Sequence, residues 1–274
     1  MPQGVQRIRR STEDAALEYL ARRPFENVFL QWLITSDRAP STRERVFLFE
    51  SASGVAAVAH FGRQVAIAAA DAAAVPAFAL VGRDHPGERM IVAPEPVAHG
   101  YWRAVKAWHR PPRIVRERQP LFVLQPQDLH VVRDGIEVRK ARLAEQAVVA
   151  RNSAEMIEHE LGYDPRKNAS DFEWNVRWMI ERGRWWVGTR DGSPVFFCHI
   201  GPYTEHTAQL QGVWVPPELR RQGIARRAFG QICETLLQTY PTLSLYVNDF
   251  NTGAIRLYEE LGFERTGSFA TYLF

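Results

Sequence analysis

Cysteine is scarce in this chain: two residues in 274, Cys198 and Cys233, set far apart and without CxxC spacing. That excludes a disulfide-stapled scaffold and a thiolate metal cluster, and no surrounding pattern marks either thiol as a nucleophile. The eight histidines show no metal-ligand spacing. Long apolar runs are missing too. The most lipid-like stretch, residues 65–81, is broken by Asp71 and Pro76. It falls short of the roughly 20 apolar residues a spanning helix needs, and reads better as a strand running into a helix. Residues 1–7 lack the apolar core of a secretory signal. Low-complexity tracts and the composition of a disordered chain are absent. Nor is one sign of charge in large excess, because 34 basic and 31 acidic residues leave a net +3. The basic patch Arg113-Ile114-Val115-Arg116-Glu117-Arg118 therefore reads as a solvated strand face. No nucleic-acid signature accompanies it. These absences lead us to expect a cytoplasmic protein with no metal, no membrane and no nucleic-acid partner.

What is present is enough apolar residue, 46%, for two ordinary cores in a chain of this length. In the first half, strand-like runs at 5–9, 45–50, 55–61 and 114–124 alternate with helix-like stretches at 25–35, 73–81 and 96–108. Ser11 with Asp14 three residues on resembles a capping box opening another helix. Gln125-Pro126-Gln127-Asp128 reads as a linker. The second half restarts the pattern. A strand at 136–142 precedes helical stretches at 143–161 and 171–182, then strands at 184–189, 195–201 and 208–215. A helix at 224–239, a strand at 243–247, a helix at 252–261 and a strand at 263–273 complete it. Interleaved strands and helices predict an α/β (α+β) fold, with domains 1–129 and 130–274.

The most informative segment runs Val213-Trp214-Val215-Pro216-Pro217-Glu218-Leu219-Arg220-Arg221-Gln222-Gly223-Ile224-Ala225. A strand ends at the prolines, a basic turn follows, and a helix opens near Gly223. Helix N-termini carry unpaired N–H groups and partial positive charge, so they hold phosphate readily. Gly223 and Ala225 keep side chains small where a pyrophosphate must approach backbone, and Arg220, Arg221, Arg226 and Arg227 add charge. The bland alternative is an arginine-rich helix start with glycine for turn geometry.

Further on, Leu243-Ser244-Leu245-Tyr246-Val247-Asn248 leads through Asn251 into Ala254-Ile255-Arg256-Leu257-Tyr258 and closes with Leu261-Gly262-Phe263. Together with Arg220-x-x-Gly223-x-Ala225, this block resembles the GNAT superfamily of N-acetyltransferases from about residue 136 to the end. The resemblance implies a mixed, twisted sheet whose central strands, here 208–215 and 243–247, splay apart around the pantetheine arm of acetyl-CoA. It places Val213, Trp214 and Val215 along that arm, with Arg220, Arg221, Gln222, Gly223, Ile224, Ala225 and Arg226 at the pyrophosphate. Asn251 touches the arm or simply caps its helix.

The implied chemistry is direct attack of a primary amine, on a small molecule, amino acid or peptide, upon the thioester. Tyr258 stands where the family often has a general acid for the thiolate. By spacing alone it also belongs to an apolar helix face with Ala254, Ile255 and Leu261, which makes it core. The base is left open among Glu205, His206, His199, Glu158 and Glu160, with Glu205 taken forward. The acceptor region is expected over 155–182, rich in aromatics.

The segment Pro24-Phe25-Glu26-Asn27-Val28-Phe29-Leu30 and the tail Phe269-Ala270-Thr271-Tyr272-Leu273-Phe274 resemble a bacterial two-domain GNAT group whose leading domain is degenerate. The counterpart of the phosphate turn, near 69–79, has no Gly or Arg. The first half is thus expected not to bind CoA, and to shape the acceptor cleft. Two other readings remain: a non-catalytic acyl-CoA-binding regulator, and an aminoacyl-tRNA-dependent transferase on tandem domains. The intact basic turn weighs against the latter.

Overall fold

The structure is a computed structural model describing residues 1–36, 44–71, 73–168 and 171–274. In the first half the described elements are β1 (Val5–Arg7), α1 (Arg10–Ala21), α2 (Val28–Thr35), β2 (Val46–Ser51), β3 (Gly54–Phe61), β4 (Gln64–Ala69), α3 (Ala74–Arg83), β5 (Met90–Pro94), α4 (Glu95–Val105) and β6 (Ile114–Leu124). The second half follows with β7 (Glu137–Lys140), α5 (Gln146–Leu161), α6 (Pro165–Asn168), α7 (Phe172–Glu181), β8 (Trp185–Arg190), β9 (Ser193–Tyr203) and β10 (Ala208–Trp214). It ends with α8 (Ile224–Leu237), β11 (Leu243–Tyr246), α9 (Thr252–Glu260) and β12 (Glu264–Leu273). The same succession of strands and helices occurs twice, as the sequence suggests.

The strands form one sheet in the order β1-β2-β3-β4-β5-β12-β6-β11-β10-β9-β8-β7. Only β4 with β5 and β10 with β11 run parallel among the described pairs. Each half gives its last strand to the other. β6 pairs with β11, Leu121 opposite Tyr246 and Leu124 opposite Leu243. β12 pairs with β5, Phe269 opposite Pro94 and Leu273 opposite Met90. The two exchanged strands also pair with each other along most of their length. The halves are therefore interlocked rather than strung in series.

Four apolar clusters fill the four quadrants made by two halves and two sheet faces. α8 supplies Ile224, Ala228, Phe229, Ile232, Cys233 and Leu236 to one of them, a stripe at helical spacing. β6 adds Phe122 and Leu124 to that same cluster, although both belong to the first half of the chain. On the opposite face α5 and α7 pack Val149, Val176, Met179 and Ile180 onto Trp185, Val187, Phe197 and Trp214. A fifth, smaller cluster at the seam joins Val92, Leu121 and Phe269.

The seam also holds a buried polar chain: Thr271 Oγ1 donates to Gln119 Oε1, and Gln119 Nε2 donates to Asn248 Oδ1 at 2.9 Å. A satisfied network of this kind fixes register across β12, β6 and the loop leading to α9. Above it Glu95 takes Arg118 and Ser268 together, and the Arg118 hydrogen bond first, then Ser268, hold its carboxyl below the usual range.

Two details differ from the sequence reading. α1 starts at Arg10 with Arg9 as its N-cap, and it is Thr12, whose Oγ1 accepts from the Arg9 N–H at 3.0 Å, not the pair Ser11 and Asp14, that closes the box. β5 was not anticipated: five residues ending in proline carry too short an apolar run to declare a strand, yet it is buried between β4 and β12. No helix among the described residues is long and apolar enough to cross a membrane.

The exchange has a consequence for stability. Removing residues 1–129 takes β6 away, opens the β11 edge, and strips Phe122 and Leu124 from the second half's core, each worth about 1.5–3 kcal/mol of burial. Residues 130–274 alone should show no cooperative thermal transition by circular dichroism. A fragment melting as sharply as the whole chain would contradict this.

Candidate active site

β10 and β11 start as neighbours and then part. Their pairing covers Ala208 with Leu243 and Gln209 with Ser244 and stops there. Beyond it β10 stays with β9, Gln211 opposite His199 and Trp214 opposite Phe197, with a register shift between the two pairs. Gly212 sits in that bulge at φ +65°, a backbone conformation that favours glycine. β11 meanwhile stays with β6. From Leu210 and Leu245 onward the facing edges no longer pair with each other, so the gap presents backbone polar groups that an extended ligand can satisfy.

At the far end of β10 the chain turns through a 3-10 segment, Pro217–Leu219, and enters α8. Arg221 at φ +63° and Gly223 at φ +72° both adopt left-handed backbone. No side chain caps α8, leaving its first N–H groups open in front of Gly223. The surrounding cations are held by the protein itself. Arg220 lies over the Trp214 ring at 4.4 Å and donates to the Val215 carbonyl at 3.1 Å. Arg227 donates to the Gln222 carbonyl at 2.6 Å, Arg190 to Gln222 Oε1 at 3.0 Å, and Arg226 faces Glu260 at 3.7 Å. Uncapped amides with cations nearby favour an anion such as a phosphate group.

The remaining anticipated residues lie on β10, just past its end, or on α9 and its N-cap, with one exception. Val213 and Val215 pack on the α8 side, whereas Trp214 packs on the α5 side. Asn251 is the N-cap of α9, its Oδ1 accepting from Ala254 N–H at 3.2 Å. Tyr258 is 5% exposed and packs among Phe122, Phe229 and Phe263 with ring centroids 5.7–6.1 Å away. Its hydroxyl makes no hydrogen bond to the described residues. Burial first, then Glu160, pushes its pKa up. Burial raises the Tyr246 pKa as well, with Arg116 opposing and Glu160 adding, and Glu160 is itself paired with Arg116 at 3.7 Å.

Glu205 is the exception. It stands on the tight turn between β9 and β10 with its side chain 86% exposed, meets His206 at 3.6 Å, and does not line the cavity described next. Glu158, also proposed from sequence, is exposed near the end of α5.

Over the gap, on the α5 and α7 face, lies a cavity of about 1450 Å³ walled by both halves. Phe29 and Trp32 of α2 come from the first half, and Trp178, Trp185, Tyr246 and Phe269 from the second. The acceptor region expected over 155–182 contributes Met156, Phe172, Trp174 and Trp178, while residues 169 and 170 lie outside the described residues. The β10 side chains facing it are Gln209 and Gln211, which bond to each other at 3.0 Å. Arg184 ties the walls together, near the rings of Trp32, Trp178 and Tyr203 at 5.5–6.0 Å.

Sequence reasoning missed Glu26, which is the one carboxylate among the described lining residues. Its turn is fixed by Asn27, whose Nδ2 donates to the Leu20 carbonyl at 3.0 Å, and by Gln31, whose Nε2 donates to the Pro24 carbonyl at 3.4 Å. His199 lines the same cavity, and burial lowers its pKa to about 4, with Arg184 adding to the effect and the Ile200 backbone opposing it. Both thiols, Cys198 and Cys233, are buried and pushed up by desolvation. Among the described residues no group of three or more His, Cys, Asp or Glu is placed to hold a metal.

Residues 151–263 match the acetyltransferase (GNAT) family, which makes the second half of this chain a GNAT domain. Residues 45–149 match a domain of unknown function, DUF4081, so the particular arrangement is a DUF4081 domain followed by a GNAT domain. Solved structures share the whole architecture at low identity. A Drosophila protein aligns over 100% of this chain and 99% of its own, at 12% identity and a TM-score of 0.66. A GCN5-related N-acetyltransferase from Kribbella flavida aligns over 93% and 94%, at 18% identity and a TM-score of 0.59. A tandem GNAT protein from the clavulanic acid biosynthesis pathway aligns over 96% and 95%, at 12% identity and a TM-score of 0.56. No curated protein matches the chain.

The lowered His199 pKa makes a stability statement. The unfolded chain takes up a proton near pH 6.5, but the folded one resists until about pH 4. Stability is therefore full above pH 6.5 and falls as pH drops toward 4, by at most about 3 kcal/mol from this group. Urea unfolding of His199→Gln should show a shallower loss between pH 6.5 and 4 than the parent. Parallel curves would contradict the assignment.

Proposed function

We propose that this protein is an acyl-CoA-dependent N-acyltransferase that moves acetyl from acetyl-CoA to a primary amine in a ternary complex. The observation that carries the reading is the parting of β10 from β11 directly beside the uncapped start of α8. A pyrophosphate on the amides from Gly223 to Arg226 sets the pantetheine arm along Gln211 to Val215, as a strand would lie. The thioester then reaches the cavity floor near Gln211 and Tyr246, and the amine arrives from the α5 and α7 side.

Direct attack needs three things of the protein: orientation, stabilisation of the oxyanion, and protonation of the leaving thiolate. The unpaired N–H groups of β10 serve the second. Tyr258 serves the third, since a phenol with a raised pKa stays protonated and its hydroxyl is committed to no other described group. Asn251 fixes the start of the helix that carries Tyr258.

The first half lacks the equivalent chemistry. β4 and β5 also pair for only three residues, yet the Ala73 N–H there is taken by Asp71 Oδ1 at 2.8 Å. A carboxylate in that place repels phosphate, and residue 72 lies outside the described residues. The role of this half is to wall the acceptor cavity through Glu26, Phe29 and Trp32.

The test joins calorimetry with acetyl-CoA to thiol release over an amine library. Gly223→Asp should weaken acetyl-CoA binding at least tenfold. Tyr258→Phe should lower kcat by about 100-fold with acetyl-CoA affinity kept. Binding without turnover for any amine would leave a non-catalytic acyl-CoA-binding protein; absence of binding would remove the reading altogether.

A further inference from the structure

We propose that His199 Nε2 is the proton acceptor for the attacking amine, a role that rests on the acyltransferase reading above. Position is the first argument. His199 stands on β9 opposite Gln211, and a Cβ added at Gly212 would lie 2.8 Å from its Cδ2 and 3.2 Å from its Nε2. Gly212 is the bulge where β10 leaves β11, so the ring edge bearing Nε2 borders the gap and the cavity at once. Met156 closes the same corner, 3.7 Å from that point.

The second argument is the state of the ring. Among the described residues its buried Nδ1 makes no side-chain hydrogen bond, while the ring leans on Trp185 with centroids 4.6 Å apart. A ring fixed by packing and sealed on its Nδ1 side offers its other nitrogen to the cavity. Burial holds the imidazole neutral, and in the tautomer with its proton on Nδ1 the Nε2 lone pair is turned to the cavity. The third argument is elimination by chemistry. The β10 side chains facing the cavity, Gln209 and Gln211, are amides and take no proton. Tyr240 and Tyr246 on the wall have raised pKa values and stay protonated. Glu26 lies over Gly267, which faces Leu121, which faces Tyr246; two strand spacings, about 9.5 Å, separate it from the strand that borders the gap.

The step balances. The neutral amine attacks the thioester carbon, forming the C–N bond while the carbonyl π pair moves to oxygen. As the nitrogen becomes quaternary its N–H grows acidic, and the proton passes to Nε2. Collapse restores the carbonyl and breaks C–S, and the thiolate takes the Tyr258 proton. Imidazolium and phenolate then reset by exchange with water.

Two experiments on the full-length protein test this. In the first, His199→Gln and His199→Ala are compared with the parent, using acetyl-CoA and the amine giving fastest thiol release. kcat should fall about 100-fold in both, with acetyl-CoA affinity by calorimetry within twofold. Added imidazole should restore part of the His199→Ala rate in proportion to its concentration, which a packing role would not allow. Parental kcat in His199→Gln, or a loss that imidazole leaves unchanged, overturns the proposal while leaving the acyltransferase reading standing. The second needs no acceptor. Diethyl pyrocarbonate at pH 6 should modify His199, by peptide mass, and saturating acetyl-CoA should block it. A His199 that stays unlabelled, or labels equally with acetyl-CoA bound, refutes its place beside the thioester. If the parent binds no acetyl-CoA at all, both the reading and this proposal fail.

Discussion

The site depends on one mechanical fact: β10 and β11 are each held from the outside, by different partners, and so are pulled apart. β10 is bonded to β9 through its bulge at Gly212, and β11 is bonded to β6 from Leu121 to Leu124. β6 is anchored in turn by β12, by the Thr271–Gln119–Asn248 network, and by Glu95 on Arg118. Interstrand hydrogen bonds that the two parted edges would otherwise share are left for a ligand. The cost of an unpaired edge is about 1–3 kcal/mol per buried polar group, which an extended ligand bonded along it would remove. The exchange of end strands is thus part of how the gap stays open.

That exchange also gives the first half a structural role. It supplies β6, against which the second half builds its core, and α2, whose Trp32 stands beside Arg184 on the cavity wall. In the first half Asp71 Oδ1 accepts from the Ala73 N–H at the start of α3, and Glu26 brings one carboxylate to the cavity wall. Its DUF4081 assignment and the GNAT assignment of the second half describe two segments of sequence that share a single sheet.

Much of this was legible in the residues. The basic turn around Gly223 carries its own signature, because glycine at positive φ and a helix start are local properties. Tyr258 was legible as part of an apolar helix face, and its ring packs among phenylalanines. The partners that depend on distant pairing were not legible. β6 and β12 meet across some 150 residues of sequence, and no periodicity announces which sheet a strand will join. β5 was too short to see. Glu205 looked well placed because it precedes β10, but a turn at 204–207 carries it outward into solvent. His199 and Glu26 gain meaning only once register and the 24–27 turn are known.

The central claim is that backbone amides, in two short stretches, hold the cofactor. Hydrogen–deuterium exchange with and without acetyl-CoA measures those amides directly. Slowed exchange confined to residues 210–215 and 222–226, with no change at 73–77 in the first half, is the predicted result. Acetyl-CoA binding that leaves both stretches unprotected, or that protects the first half instead, would contradict the account.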